Sequence, residues 1–171
     1  FALEVTVPGV QAMADTTDWE LFGVPLKILA VQDPGARGLR IWEAAAVETG
    51  EDAQKVVALV REALGEHPGV QYVTDQGTPY LADATARALE ELELEHAPQR
   101  EGDPIGKSPI ERSFRTVKDA LAPLVRLTGR IAEALPALRR ADFAAAAGRL
   151  LLGTFLAVDL AARRSTLSTA A

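Results

Sequence analysis

The hydrophobic period of this chain shifts from about two to about 3.6 between Val47 and Val56, and that shift constrains the fold more than any other feature. Ahead of it, apolar alternation predicts one strand ending near Asp15 and a second across residues 24–31, stopped by an Asp33-Pro-Gly turn. A third covers residues 39–47. The connections are too short for a crossover helix, so these three pair as an antiparallel meander. Beyond the shift, Val56, Val57, Val60, Ala63 and Leu64 share one helical face, with Thr49 as N-cap, Asp52 at the capping-box position and Gly65 as the stop. A fourth strand, residues 70–74, follows that helix, which can then act as the crossover that lays this strand parallel to the first. Thr78-Pro79 opens another helix whose apolar face is Leu81, Ala84, Ala88, Leu89 and Leu92, and residues 94–97 form a short fifth strand. The remainder is helical and alanine-rich, with breaks expected near Pro136 and at Gly148 and Gly153. The fold class is therefore α/β, with a helical C-terminal extension.

Three acids stand out against that framework. Asp15 follows an apolar alternation in Val10-Gln-Ala-Met-Ala-Asp15-Thr-Thr, and Asp75 repeats the design in Val70-Gln-Tyr-Val-Thr-Asp75-Gln-Gly. Glu111 opens a helix in Lys107-Ser-Pro-Ile-Glu111-Arg-Ser-Phe-Arg-Thr-Val-Lys118, and thirty-five residues separate it from Asp75. The crossover brings Asp75 towards Asp15. Carboxylates so placed can converge on a hard cation, since Mg²⁺ is held through one or two carboxylates plus substrate phosphates. Each acid also has a purely structural reading. Asp15 and Asp75 can end strands as turn residues, and Ser108-Pro-Ile-Glu111 is itself a capping box with proline at the first helical position.

Taken in order, these segments resemble the superfamily of retroviral integrases and bacterial insertion-sequence transposases. The resemblance covers roughly residues 10–120 and rests on Asp15-Thr-Thr, Asp33-Pro-Gly-Ala-Arg37, Thr74-Asp75-Gln-Gly-Thr-Pro-Tyr80 and Glu111 followed by Lys118. It implies a ribonuclease H-like fold with a mixed five-stranded sheet flanked by helices, a catalytic core over residues 1–128 and a helical extension over 129–171. It implies Asp15, Asp75 and Glu111 as catalytic and metal-binding residues for two Mg²⁺ (or Mn²⁺) ions, with Asp15 bridging the pair. The reaction implied is DNA cleavage followed by strand transfer, on transposon-end DNA and target DNA, in a homo-oligomer. Lys118 would contact substrate phosphates, joined by Arg115, which shares its helical face, and by Lys107. A ribonuclease H-like nuclease, or a domesticated core acting as a non-catalytic DNA-binding or assembly module, is the alternative. The Tyr-Asn and Arg-Pro-His motif of many insertion-sequence relatives is missing, and residues 158–164 occupy its place. No helix-turn-helix module fits before Asp15, so sequence-specific recognition is expected elsewhere.

Composition narrows the chemistry further. The chain has 171 residues, 48% of them hydrophobic, enough for one domain with a substantial core. Cysteine is absent, which excludes disulfides, thiolate nucleophiles and thiolate zinc sites, and fits a reducing cytoplasm; the resemblance implies a bacterial, nucleoid-associated setting. The net charge of −6 hides an asymmetry: residues 1–111 carry 20 acidic and 8 basic side chains, residues 112–171 carry 4 and 10. Only the last third offers the positive surface that phosphate binding needs. The apolar run at residues 150–152 is cut by Gly153, so no membrane span is expected. Phe1, without a methionine or a basic-then-apolar leader, is expected of a piece of a longer protein. Trp19, Trp42 and Phe114 read as packing residues, because at 5% aromatic content the chain has too few rings for a base-stacking surface. Asp33 and Arg37 are expected to pin a turn. His67 and His96 have no partners at metal-ligand spacing, and Thr16 and Thr17 read as ordinary strand residues.

Overall fold

Leu21 pairs with Val24, so only Phe22 and Gly23 join the first two strands, at φ 56° and 74°. Positive φ at both central positions makes a turn whose twist matches that of the flanking strands. Phe22 accepts this unfavourable backbone because its ring packs on Phe143, 5.6 Å between centroids. The structure is a computed structural model and describes residues 7–36, 42–99 and 108–169. The hairpin strands are β1 (Gln11–Leu21) and β2 (Val24–Gln32), followed by β3 (Ala44–Glu48). Helix α1 (Ala53–Leu64) leads to β4 (Gln71–Thr74), then α2 (Thr78–Leu81), α3 (Asp83–Glu91) and β5 (Glu95–Pro98). Two long helices complete the chain, α4 (Ser108–Glu133) and α5 (Ala137–Thr169).

The sheet order is β3-β2-β1-β4-β5, antiparallel on the β1–β2–β3 side and parallel on the β1–β4–β5 side. Strand alternation splits its side chains between two cores. Ala12, Ala14, Leu29, Val31 and Tyr72 meet Val56, Leu59, Val60, Ala63 and Leu64 of α1 and Leu89 of α3. Trp19, Leu21, Leu26, Ile28 and Ala30 meet Ile110, Phe114, Val117 and Leu121 of α4 and Ala144, Ala145, Leu151 and Leu152 of α5. Each large apolar side chain buried in these layers contributes about 1.5–3 kcal/mol.

Several local expectations are corrected. Asp15 does not end a strand: β1 continues six residues past it, because β2 pairs with β1 all the way to Leu21. The N-cap of α1 is Asp52 itself, whose carboxylate accepts from the Lys55 amide at 3.0 Å. The single helix expected from Thr78 is two, because Ala82 adopts extended backbone (φ −65°, ψ 147°) between α2 and α3. The Thr85 hydroxyl bonds back to the Pro79 carbonyl at 2.7 Å across that break, and Leu81 is left exposed. The third strand starts at Ala44 rather than 39, and residues 37–41, Arg37 included, lie outside the described set. Trp42 is buried against Phe114 (5.3 Å between centroids), as its packing assignment required.

Gly148 and Gly153 do not interrupt α5, which runs unbroken through both. A Cβ at 148 would sit 3.0 Å from Val47 Cγ1 and 3.2 Å from Leu21 Cδ1, so this glycine lets the helix lie tightly against the sheet. Continuity also overturns the expectation about hydropathy: residues Arg139–Ala161 form a helical stretch of mean hydropathy 1.6, long and apolar enough by composition to cross a membrane. Ala144, Ala145, Leu151 and Leu152 from this stretch are instead buried in the second core. Helix α4 passes through residue 128 without a break and carries Pro123 within it.

Candidate active site

Parallel pairing between β1 and β4 covers only Gln11↔Gln71, Ala12↔Tyr72 and Met13↔Val73. Continuing the same offset brings Asp75 level with Asp15, two residues beyond the last pair. From there β1 has lost its neighbour on that side, and the sheet opens. Asp15 is 9% exposed, and its Oδ1 accepts the Thr16 amide at 2.9 Å.

Helix α4 supplies the opposite wall. Burial of Ile110, Phe114, Val117 and Leu121 fixes its rotation, and the adjacent stripe of Glu111, Arg115 and Lys118 is thereby turned towards β1. Asp15, Thr16, Thr17, Glu111, Phe114, Arg115, Lys118 and Asp119 together line a cleft of about 410 Å³. The Lys118 ammonium is half-buried and donates to Thr17 Oγ1 at 2.8 Å and the Asp18 carbonyl at 2.6 Å. Burial lowers its pKa from the usual 10.5, against the pull of the Asp18 carboxylate. Glu111 is exposed on the first turn of α4. Lys107 lies outside the described residues.

Asp75 follows β4, and its Oδ1 accepts the Gly77 amide at 2.9 Å, a local turn. Any Cβ at Gly77 would stand 2.9 Å from that oxygen, which is why the turn carries glycine. The chain then enters α2, and Tyr80 buries its ring so that its hydroxyl lies 2.8 Å from Thr16 Oγ1. Thr16 Oγ1 in turn donates to Glu51 Oε1 at 2.7 Å. Burial pushes the Tyr80 phenol far above its ordinary range, with Glu51, Asp15 and Asp75 adding repulsion and the Thr16 bond opposing it. Tyr80 is therefore a neutral O–H donor at every ordinary pH.

Of the residues singled out from sequence, Asp15, Glu111, Arg115 and Lys118 share one cleft, while Asp75 stands beside it, level with Asp15 but held by its own turn. The three carboxylates are hard oxygen donors of the type Mg²⁺ takes. Yet among the described residues no three His, Cys, Asp or Glu converge closely enough to hold a metal ion. The donor chemistry fits a hard cation, and the ligand set is not gathered in this conformation. Sequence reasoning missed Glu51, Tyr80, Thr16 and Asp119. Tyr80 lay inside the quoted Thr74–Tyr80 segment, whereas nothing in the pattern around Glu51 marked it. His96 packs against Tyr72 (6.0 Å between centroids) and its Nε2 lies 2.9 Å from Thr74 Oγ1, a structural place.

No family model matches the sequence, and no curated protein does. Solved structures do. A chain of the simian T-cell lymphotropic virus intasome, in complex with PP2A regulatory subunit B56 gamma, superposes with TM-score 0.62 at 17% identity, over 82% of this chain and 48% of that one. This chain thus spans about half the length of that relative. The HTLV-2 integrase catalytic core domain in complex with magnesium, in its trimeric form, gives TM-score 0.57 at 13% identity, over 81% and 84% of the two chains. The catalytic core domain of BIV integrase gives 0.54 at 19%, over 67% and 70%. The architecture is therefore α/β and ribonuclease H-like: a mixed five-stranded sheet between helices, with C-terminal helices beyond it. Within that class, the fold is the one adopted by retroviral integrase catalytic cores.

Proposed function

We propose that this chain is the catalytic core of a DNA transposase or integrase, cleaving DNA and transferring strands with Asp15, Asp75 and Glu111 as its essential carboxylates. The observation that carries the reading is the cleft itself: Asp15, buried at the point where the sheet opens, faces Glu111, Arg115 and Lys118 on α4. Asp15, Asp75 and Glu111 would hold two Mg²⁺ (or Mn²⁺) ions. When bound, such a pair supplies an activated oxygen nucleophile and stabilises charge on the transferring phosphoryl group. Arg115 and Lys107 bind the phosphates of the DNA end. Lys118 has three N–H donors, of which β1 takes two, leaving one for a phosphate oxygen. Glu111, exposed at the start of α4, would complete the ligand set with DNA bound. HTLV-2 integrase cores described in dimeric and trimeric forms support a homo-oligomer as the working assembly. On this reading the chain acts on transposon-end and target DNA in the bacterial cytoplasm, at the nucleoid.

The test is joining of duplex oligonucleotides bearing the element ends to a target plasmid, with Mg²⁺, by the full-length protein and its Asp75→Asn variant. The expected outcome is joined product for the wild type and background for the variant, with DNA retained by both. Hydrolysis without joining would assign the chain to the nucleases. DNA binding without any chemistry would make it a non-catalytic module.

A further inference from the structure

Hydrogen bonds joined through the covalent frames of Gly77, Tyr80 and Thr16 connect Asp15 on β1 with Asp75 just after β4. The Gly77 amide donates to Asp75 Oδ1 at 2.9 Å, and the Tyr80 amide donates to the Gly77 carbonyl at 3.0 Å. The Tyr80 hydroxyl lies 2.8 Å from Thr16 Oγ1, and the Thr16 amide donates to Asp15 Oδ1 at 2.9 Å. Glu51 fixes the middle of the run. The single Thr16 hydroxyl proton goes to Glu51 Oε1 at 2.7 Å, so Tyr80 must be the donor to Thr16. The order of donation is thereby set: Tyr80 to Thr16 to Glu51. Such directed chains strengthen one another in a buried setting.

The position of the run explains its need. Ladder bonds between β1 and β4 stop at Met13↔Val73, so no strand pairing holds Asp75 level with Asp15. Thr16 borders the cleft beside Asp15, but strand alternation turns its side chain to the opposite face of β1, where its hydroxyl meets Tyr80 and Glu51.

We propose that Thr16, Tyr80 and Glu51 are positioning residues that replace the missing β1–β4 ladder and set the spacing between Asp15 and Asp75. The catalytic consequence rests on the polynucleotidyl-transfer reading above, whereas the mechanical one does not. Thr16→Val keeps shape and strand preference but deletes the hydroxyl; Thr16→Ser keeps the hydroxyl; Tyr80→Phe keeps the buried ring.

Two measurements on the full-length protein separate the possibilities. Amide hydrogen exchange at Gly77 and Tyr80 should accelerate about tenfold in Thr16→Val, which loses two hydrogen bonds, and by a smaller factor of about three to fivefold in Tyr80→Phe, which loses one, and return to the wild-type rate in Thr16→Ser. In the oligonucleotide joining reaction, kcat should fall in the same two variants with KM for DNA unchanged, and Thr16→Ser should recover it. Unchanged exchange in Tyr80→Phe, or Thr16→Ser exchanging as fast as Thr16→Val, overturns the proposal even if the wild type joins DNA. Accelerated exchange in a protein that joins nothing upholds the positioning role and removes the reading of function on which its catalytic consequence depends.

Discussion

The two faces of the sheet do different work. One is covered by α1 and α3, inserted between consecutive strands, and its apolar layer gives way at one end to the polar run of Tyr80, Thr16 and Glu51. The other is covered by α4 and α5, the last elements described, and carries the cleft that Asp15 and Glu111 both line. A single strand separates them: the Asp15 side chain faces the cleft and the Thr16 hydroxyl the support. Placing support and cleft on opposite sides lets the carboxylate be held rigidly without filling the space a substrate needs.

That division can be broken most severely at Phe114, which belongs both to the second core and to the cleft wall. Phe114→Ala should lower stability by about 3–5 kcal/mol and also reduce joining per folded molecule. Leu59→Ala, confined to the first core, should cost about 2–5 kcal/mol yet leave joining per folded molecule unchanged. Urea titration and single-turnover assays check both, and equal loss of joining in the two variants would dissolve the distinction. A smaller effect is expected at Gly148, where Leu must push Val47 and Leu21 aside; Gly148→Leu should cost about 1–3 kcal/mol in the same titration.

The smallest effect concerns His96, on the edge strand. Burial holds its pKa below the usual 6.5, so the folded state takes up a proton less readily than the unfolded one. Its neutral form is the only one present well above pH 6.5, and there it carries no penalty. As pH falls below 6.5 the unfolded state gains protons first, and stability declines until the depressed folded value is passed. His96→Gln should flatten the decline of the urea midpoint between pH 7.5 and 5.5. An unchanged slope would place the responsible group elsewhere.

Much of this architecture was legible from pattern. The placement of Asp75 beside Asp15 followed from one crossover, since a helix between strands can return the chain parallel to the first strand. What escaped was set by tertiary contact. The end of β1 depends on β2, not on the residue after Asp15, so an alternation that fades at Thr16 and Thr17 still continues as strand. Gly148 reads as a helix breaker in isolation, but its missing side chain makes room for Val47 and Leu21. Ala82 gives no local signal, because what ends α2 is the docking of Tyr80 against Thr16 and of Thr85 against Pro79. Glu51 stands thirty-five residues from the hydroxyl it accepts from, a separation no periodicity records.

Strand β1 is eleven residues long and β4 only four. The opening beside Asp15 is consequently a property of unequal lengths rather than of the side chains that line it. Replacing Thr17, Arg115 or Asp119 changes the lining and leaves the gap. Closing it would take β1–β4 pairing carried two residues past Val73, which no point substitution provides. Such a cavity tolerates drift in its walls, so its chemistry can diverge while its shape persists.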